Sequence, residues 1–178
     1  MITYHRASSD IQLHQILEIQ KRALKQNVSL EDQKKEGYIT VPHTFEILKK
    51  MNDACPHCIA VVDSQVVGYA LVMLESFRNE MEILIPMFET ADQLLPNKNY
   101  LAMGQVCIDK PFRGKGIFKN LYAYYRDELS NQFDCLFTEV ATLNTRSLNA
   151  HIAVGFEILD TQTTDGTSWE MVNWDWNK

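Results

Sequence analysis

The sequence predicts a single α/β domain, a central mixed β-sheet of six to seven strands flanked by helices. Three observations carry this expectation. β-branched apolar runs alternate with stretches whose apolar residues recur every three or four positions. Two such runs, Ile59–Val62 and Val66–Glu75, flank Asp63-Ser64-Gln65 and read as an antiparallel hairpin. A strand–helix–strand stretch over 100–140 calls instead for a right-handed parallel crossover. Both pairings within 178 residues, a length that suits one hydrophobic core, make the sheet mixed.

The elements follow in order. Ile2–Arg6 is a short strand, and Ser8, Ser9 and Asp10 can cap the helix after it. Ile11, Ile16, Leu17, Ile19, Ala23 and Leu24 mark that helix's buried side. Ser29–Gly37 is a second short helix ended by its glycine, and Phe45, Leu48 and Met51 share one side of a third over 43–52. The second hairpin strand is apolar on both faces, as a central strand should be. Residues 79–96 are helical in part and broken by Pro86 and Pro96. Tyr100–Ile108 is a strand, Gly116–Ser130 a helix, Cys135–Val140 a strand and 145–154 a helix. Phe156–Thr161 and Ser168–Trp176 close the chain as strands.

Composition narrows the function. A net charge of −6 argues against a general nucleic-acid binder. No apolar run approaches the roughly 20 residues that cross a bilayer, and the N-terminus lacks a signal-peptide pattern, so a cytoplasmic protein is expected. Of the four cysteines, Cys107 and Cys135 sit in apolar strands and read as small core residues. Cys55 and Cys58 form CPHC, which suits a thiol oxidoreductase only after a strand and before a helix. Here the order is reversed, and no second ligand pair supports a metal site. A loop with two thiols is the simpler reading.

Against this acidic background, KPFRGKGIFK (110–119) carries Lys110, Arg113, Lys115 and Lys119 with no acid. Arg113-Gly114-Lys115-Gly116 follows a buried strand and opens a helix whose stripe is Ile117, Leu121, Tyr125 and Phe118, Tyr122, Leu129. First-turn N–H groups without intrahelical partners, glycines that admit close approach and two added cations suit a diphosphate. The alternative is a solvated glycine-bearing loop. A P-loop is absent, and Lys119 stands where a dinucleotide fingerprint needs its third glycine.

This turn resembles that of the GNAT superfamily of N-acetyltransferases, whose signature is Gln or Arg, two residues, Gly, one residue, then Gly or Ala. Arg113-Gly114-Lys115-Gly116-Ile117-Phe118 matches at the first and fourth places and has Phe118 at the last. Val106-Cys107-Ile108 stands where the family's strand pairs with pantetheine, and Asn144, Ser147, Gly155 and Phe156 fall in register with its second motif. The resemblance implies acetyl-CoA as co-substrate, no metal, direct transfer to an amine acceptor, and frequent homodimers.

It also assigns candidate roles. His151, four residues before Gly155, stands where the family often places a tyrosine acid, and a helix residue packed on the sheet is the alternative. Glu75, Gln105 and Glu139 are candidate bases or orienting groups. Asn144 is equally a helix cap. Acids outside the motifs (Glu31, Asp32, Glu36, Glu80, Glu82) suit a cationic amine or a solvated face. Trp174 and Trp176 share a strand face, for core packing or a dimer interface. Two other functions stay open: a non-catalytic acyl-CoA sensor and a CPHC redox protein.

Overall fold

In the computed structural model, which describes residues 1–178, the chain opens with β1 (Thr3–Arg6), α1 (Asp10–Ala23), α2 (Leu30–Glu36) and α3 (Phe45–Ala54). A hairpin of β2 (Cys58–Val62) and β3 (Gln65–Met73) follows, then α4 (Ile85–Leu94), β4 (Tyr100–Ile108) and α5 (Ile117–Leu129). The chain ends with β5 (Cys135–Ala141), α6 (Thr145–Val154), β6 (Glu157–Thr164) and β7 (Thr167–Asp175). One seven-stranded sheet has the order β1-β2-β3-β4-β5-β7-β6, antiparallel except for β4 against β5.

Local chemistry accounts for the boundaries. Ser9, Ser29 and Thr44 cap α1, α2 and α3 by accepting from the backbone N–H three residues on. Gly37 ends α2 at φ 76. The β2–β3 turn places Asp63 and Ser64 at φ 47 and 67, the left-handed pair that a two-residue hairpin requires. Pro86 does not break α4, contrary to expectation. It lies in the helix's first turn, where its missing N–H costs nothing.

The sheet buries both faces. α1, α3 and α4 cover one with Leu13, Ile16, Leu48, Met51, Met87 and Phe88; α5 covers the other with Leu121, Tyr122, Tyr125 and Leu129. Trp174 and Trp176 pack into this second core beside Tyr122, Tyr125 and Phe156. CPHC is less loop-like than expected. Cys58 starts β2 fully buried, its thiol pushed up to about 12 by burial, and no disulfide forms. His57 is equally buried: it accepts from Val72 N at 3.0 Å and donates to the Leu48 carbonyl at 3.1 Å, tying α3 to β3.

One irregularity positions the site. β4 and β5 pair only over Tyr100–Ala102 and Cys135–Phe137. Beyond that β4 stays with β3, as far as Ile108 opposite Gly68, while β5 follows β7 as far as Ala141 opposite Trp169. A register shift between Ala70 and Val72 bends β4 away from its parallel neighbour. The two central strands diverge into a wedge, with the Thr138 hydroxyl on the Met103 carbonyl (2.9 Å) where it opens.

Candidate active site

The wedge leaves the β5-side backbone groups of Val106-Cys107-Ile108 without a strand partner, so an extended ligand can add there as a strand. These residues line a pocket of about 350 Å³ that continues to Arg113, Gly114, Gly116, Ile117 and Phe118. At the turn, Gly114 and Gly116 have φ 73 and 75, and a Cβ added to either meets nothing within 4 Å. Gly116 is the N-cap of α5, and no side chain caps that end. An open cradle with unclaimed N–H groups at a positive helix end fits a diphosphate. Phe118 is no obstacle, because its ring packs edge-on against Tyr122 and His151. Lys115 lies over the Phe112 ring, outside the pocket lining, whereas Lys119 and Arg146 belong to it.

A second pocket, about 80 Å³, fills the wedge itself and shares Tyr38, Ile39, Val106 and Ser147 with the first. Gln105, Glu139, Asn144 and His151 line it too, so with Val106 and Ser147 six of the candidate site residues converge on one wedge. Glu75 is the exception. β3 ends at Met73, and a 3₁₀ turn sends the Glu75 carboxylate to Arg78 at the surface.

Each converging side chain has a definite state. Burial pushes Glu139 up to about 7, and it makes no salt bridge to offset that. His151 is 1 % exposed, and burial pushes it down to about 4. Its Nδ1 lies 2.8 Å from the Ser147 carbonyl, which only accepts, so the one proton of the neutral ring sits there. Nε2 then accepts from the Tyr122 hydroxyl at 2.8 Å. Both ring nitrogens are engaged. Gln105 gives its amide to the Val41 carbonyl (2.7 Å) and accepts from Tyr69 (2.6 Å) and Gln20 (3.1 Å).

Residues 37–44 lie within the motif-free stretch 29–51, where the acceptor pocket was expected, and form a wall of the site. This segment crosses the wedge as a strap held by the motif residues themselves. Asn144 caps α6 through Ser147 N and also donates to the Tyr38 carbonyl at 2.9 Å; Gln105 holds Val41. Gln20 accepts from His43 N at 2.8 Å. At the strap's start, Glu36 meets Arg113 at 2.8 Å and Lys110 at 3.1 Å, with Asp32 3.6 Å from Lys110. Asp32 and Glu36 therefore face the basic turn and not the wedge, while Glu31 pairs with Lys35 at the surface. The sole sequence signal was the i, i+4 spacing of Asp32 and Glu36 on one helix side.

Comparison with known proteins agrees with this geometry. The profile of the Acetyltransferase (GNAT) family matches residues 13–156. No curated protein matches the sequence. Among solved structures, the ribosomal-protein-S18-alanine N-acetyltransferase of Escherichia coli is similar at 14% identity and TM-score 0.66, covering 98% of this chain and 94% of that one. An N-acetyltransferase of Staphylococcus aureus Mu50 is similar at 18% identity and TM-score 0.68, covering 98% of each chain. The yncA protein of Salmonella typhimurium, solved with acetyl-CoA, is similar at 14% identity and TM-score 0.66, covering 98% and 93%.

Proposed function

Because this chain belongs to the GNAT family of acetyltransferases, we propose that it transfers the acetyl group of acetyl-CoA directly to a primary amine in the wedge between β4 and β5. The observation that carries the reading is the continuity of the two pockets. A diphosphate cradle at Gly114 and Gly116 leads along the free edge of Val106–Ile108 to a small chamber that contains Glu139.

The chemistry then follows from the residues. Arg113, Lys119 and Arg146 supply positive charge to the larger pocket, and the backbone of β4 holds the pantetheine as an added strand. N–H groups of β4 around Val106, the strand residue common to both pockets, polarise the thioester carbonyl. Glu139, half ionised near neutral pH, takes one proton from the ammonium and frees its lone pair. The nitrogen attacks the carbonyl carbon, the C–N bond forms and the C–S bond breaks. The second proton leaves the nitrogen for the departing thiolate, which balances the exchange. His151 acts in this reading by position: its one proton stays on Nδ1, donated to the Ser147 carbonyl, and its ring holds Tyr122 and Phe118 under the wedge.

Coenzyme A release with a panel of amines tests the proposal, beside a thermal-shift titration with acetyl-CoA. A raised melting temperature with acceptor-dependent thiol release is expected. Binding with no turnover of any amine would return the chain to a non-catalytic acyl-CoA sensor.

A further inference from the structure

The smaller pocket also restricts what can be attached to the amine, an inference that rests on the transferase reading. Its volume, about 80 Å³, is roughly that of two to three waters. It therefore holds the nitrogen, the carbon that bears it, and that carbon's first substituents. Whatever sits on the α-carbon sits inside the chamber.

The charge inventory of that chamber is one-sided. Glu139 is the only Asp, Glu, Lys or Arg in its lining. Of the neutral donors, Gln105, Asn144, Thr138 and His151 are committed to the Val41, Tyr38, Met103 and Ser147 carbonyls, and those that remain, the Tyr38, Thr40 and Ser147 hydroxyls and the Trp169 indole N–H, carry no charge. The nearest cations of the motif, Arg113, Lys119 and Arg146, line the larger pocket instead. A carboxylate on the α-carbon would be desolvated without a cation and would face the Glu139 carboxylate. Val41, Leu84, Met87 and the Trp169 ring give the remaining wall its apolar part, beside the neutral hydroxyls of Tyr38, Thr40 and Ser147.

We infer that the acceptor is a primary amine whose α-carbon carries no carboxylate, so that uncharged groups flank the nitrogen inside the wedge. Two sources share this chemistry, a simple alkylamine and an amino terminus whose carboxyl is tied up as an amide. A free α-amino acid does not.

The test uses matched acceptors with the full chain: isopropylamine, alaninamide and alanine, compared as kcat/KM per unprotonated amine with saturating acetyl-CoA. Isopropylamine or alaninamide should exceed alanine at least about tenfold. Preference for alaninamide would assign the amino-terminal source, and preference for isopropylamine the alkylamine. Alanine equal to or better than both overturns the inference while leaving the transferase reading intact. Turnover of none of the three or of any other amine sinks the transferase reading separately. Calorimetric titration of isopropylamine and alanine into the protein loaded with coenzyme A still reads the chamber in that event. Equal binding of the two, or binding of neither, overturns the inference. Thr40→Arg, at an exposed place on the chamber wall, supplies the missing cation and should raise the alanine-to-isopropylamine ratio about fivefold or more. An unchanged ratio would remove its electrostatic basis.

Discussion

Glu36 and Arg113 form an ion pair of 2.8 Å at the wall of the larger pocket, joining the strap to the basic glycine turn. Neither partner is fully exposed, and Lys110 joins them through the same carboxylate at 3.1 Å. The carboxylate thus occupies the cation that a coenzyme phosphate would use. Glu36→Gln should tighten acetyl-CoA binding about three- to tenfold at low salt, and the gain should shrink at high salt. Calorimetric titration at two ionic strengths checks it. Weaker binding would mean that Glu36 serves to aim Arg113.

Glu139 sets an acid limb. Only its ionised form takes a proton, so kcat/KM should rise with pH through about 7. Glu139→Gln should flatten that limb and lower kcat about a hundredfold.

The same residue links stability to pH. Its folded pKa lies above the ordinary 4.5, so the folded chain binds the proton more tightly than the unfolded one. Stability from this group is full below about 4.5 and is lost as pH rises through about 7. Melting curves of Glu139→Gln and the parent should coincide near pH 4 and separate above it, with the variant the more stable at pH 8. A constant offset across that range would sink the linkage.

His151 and Tyr122 separate position from chemistry. Tyr122→Phe leaves Nε2 of a buried ring without its donor and should cost about 1–2 kcal/mol of stability. With His151 acting by position, kcat should stay within about threefold. A hundredfold fall in kcat at unchanged stability would put the pair in the proton path.

Gly155 closes α6 at φ 126, and a Cβ there would lie 2.9 Å from Trp174 Nε1. Gly155→Ala combines backbone strain with a clash against a ring packed on Tyr122, Phe156 and Trp176. A loss of about 2 kcal/mol, or about 4–8 °C in melting temperature, is expected. An unchanged melting curve would show that the Trp174 ring yields freely.

The sequence by itself determined the features written in neighbouring residues. Caps at Ser9 and Ser29, the hairpin turn, the central strands and the Gly114–Gly116 cradle are local patterns of period, charge and backbone freedom. They carried the α/β class and the basic glycine turn. Where local signals failed, the reason was also local: Pro86 reads as a breaker unless the helix is known to start beside it. Glu75 read as part of a strand because nothing nearby marks the end at Met73. Tertiary structure alone decided the rest. The divergence of β4 from β5 opens a wedge on which residues far apart in the chain converge, and burial within it, not sequence context, lifts Glu139. Glu36 reaches Arg113 across 77 residues, and Asn144 holds the Tyr38 carbonyl across 106. Desolvation and pairing at such separations depend on where the chain returns in space, which no short window of the sequence records.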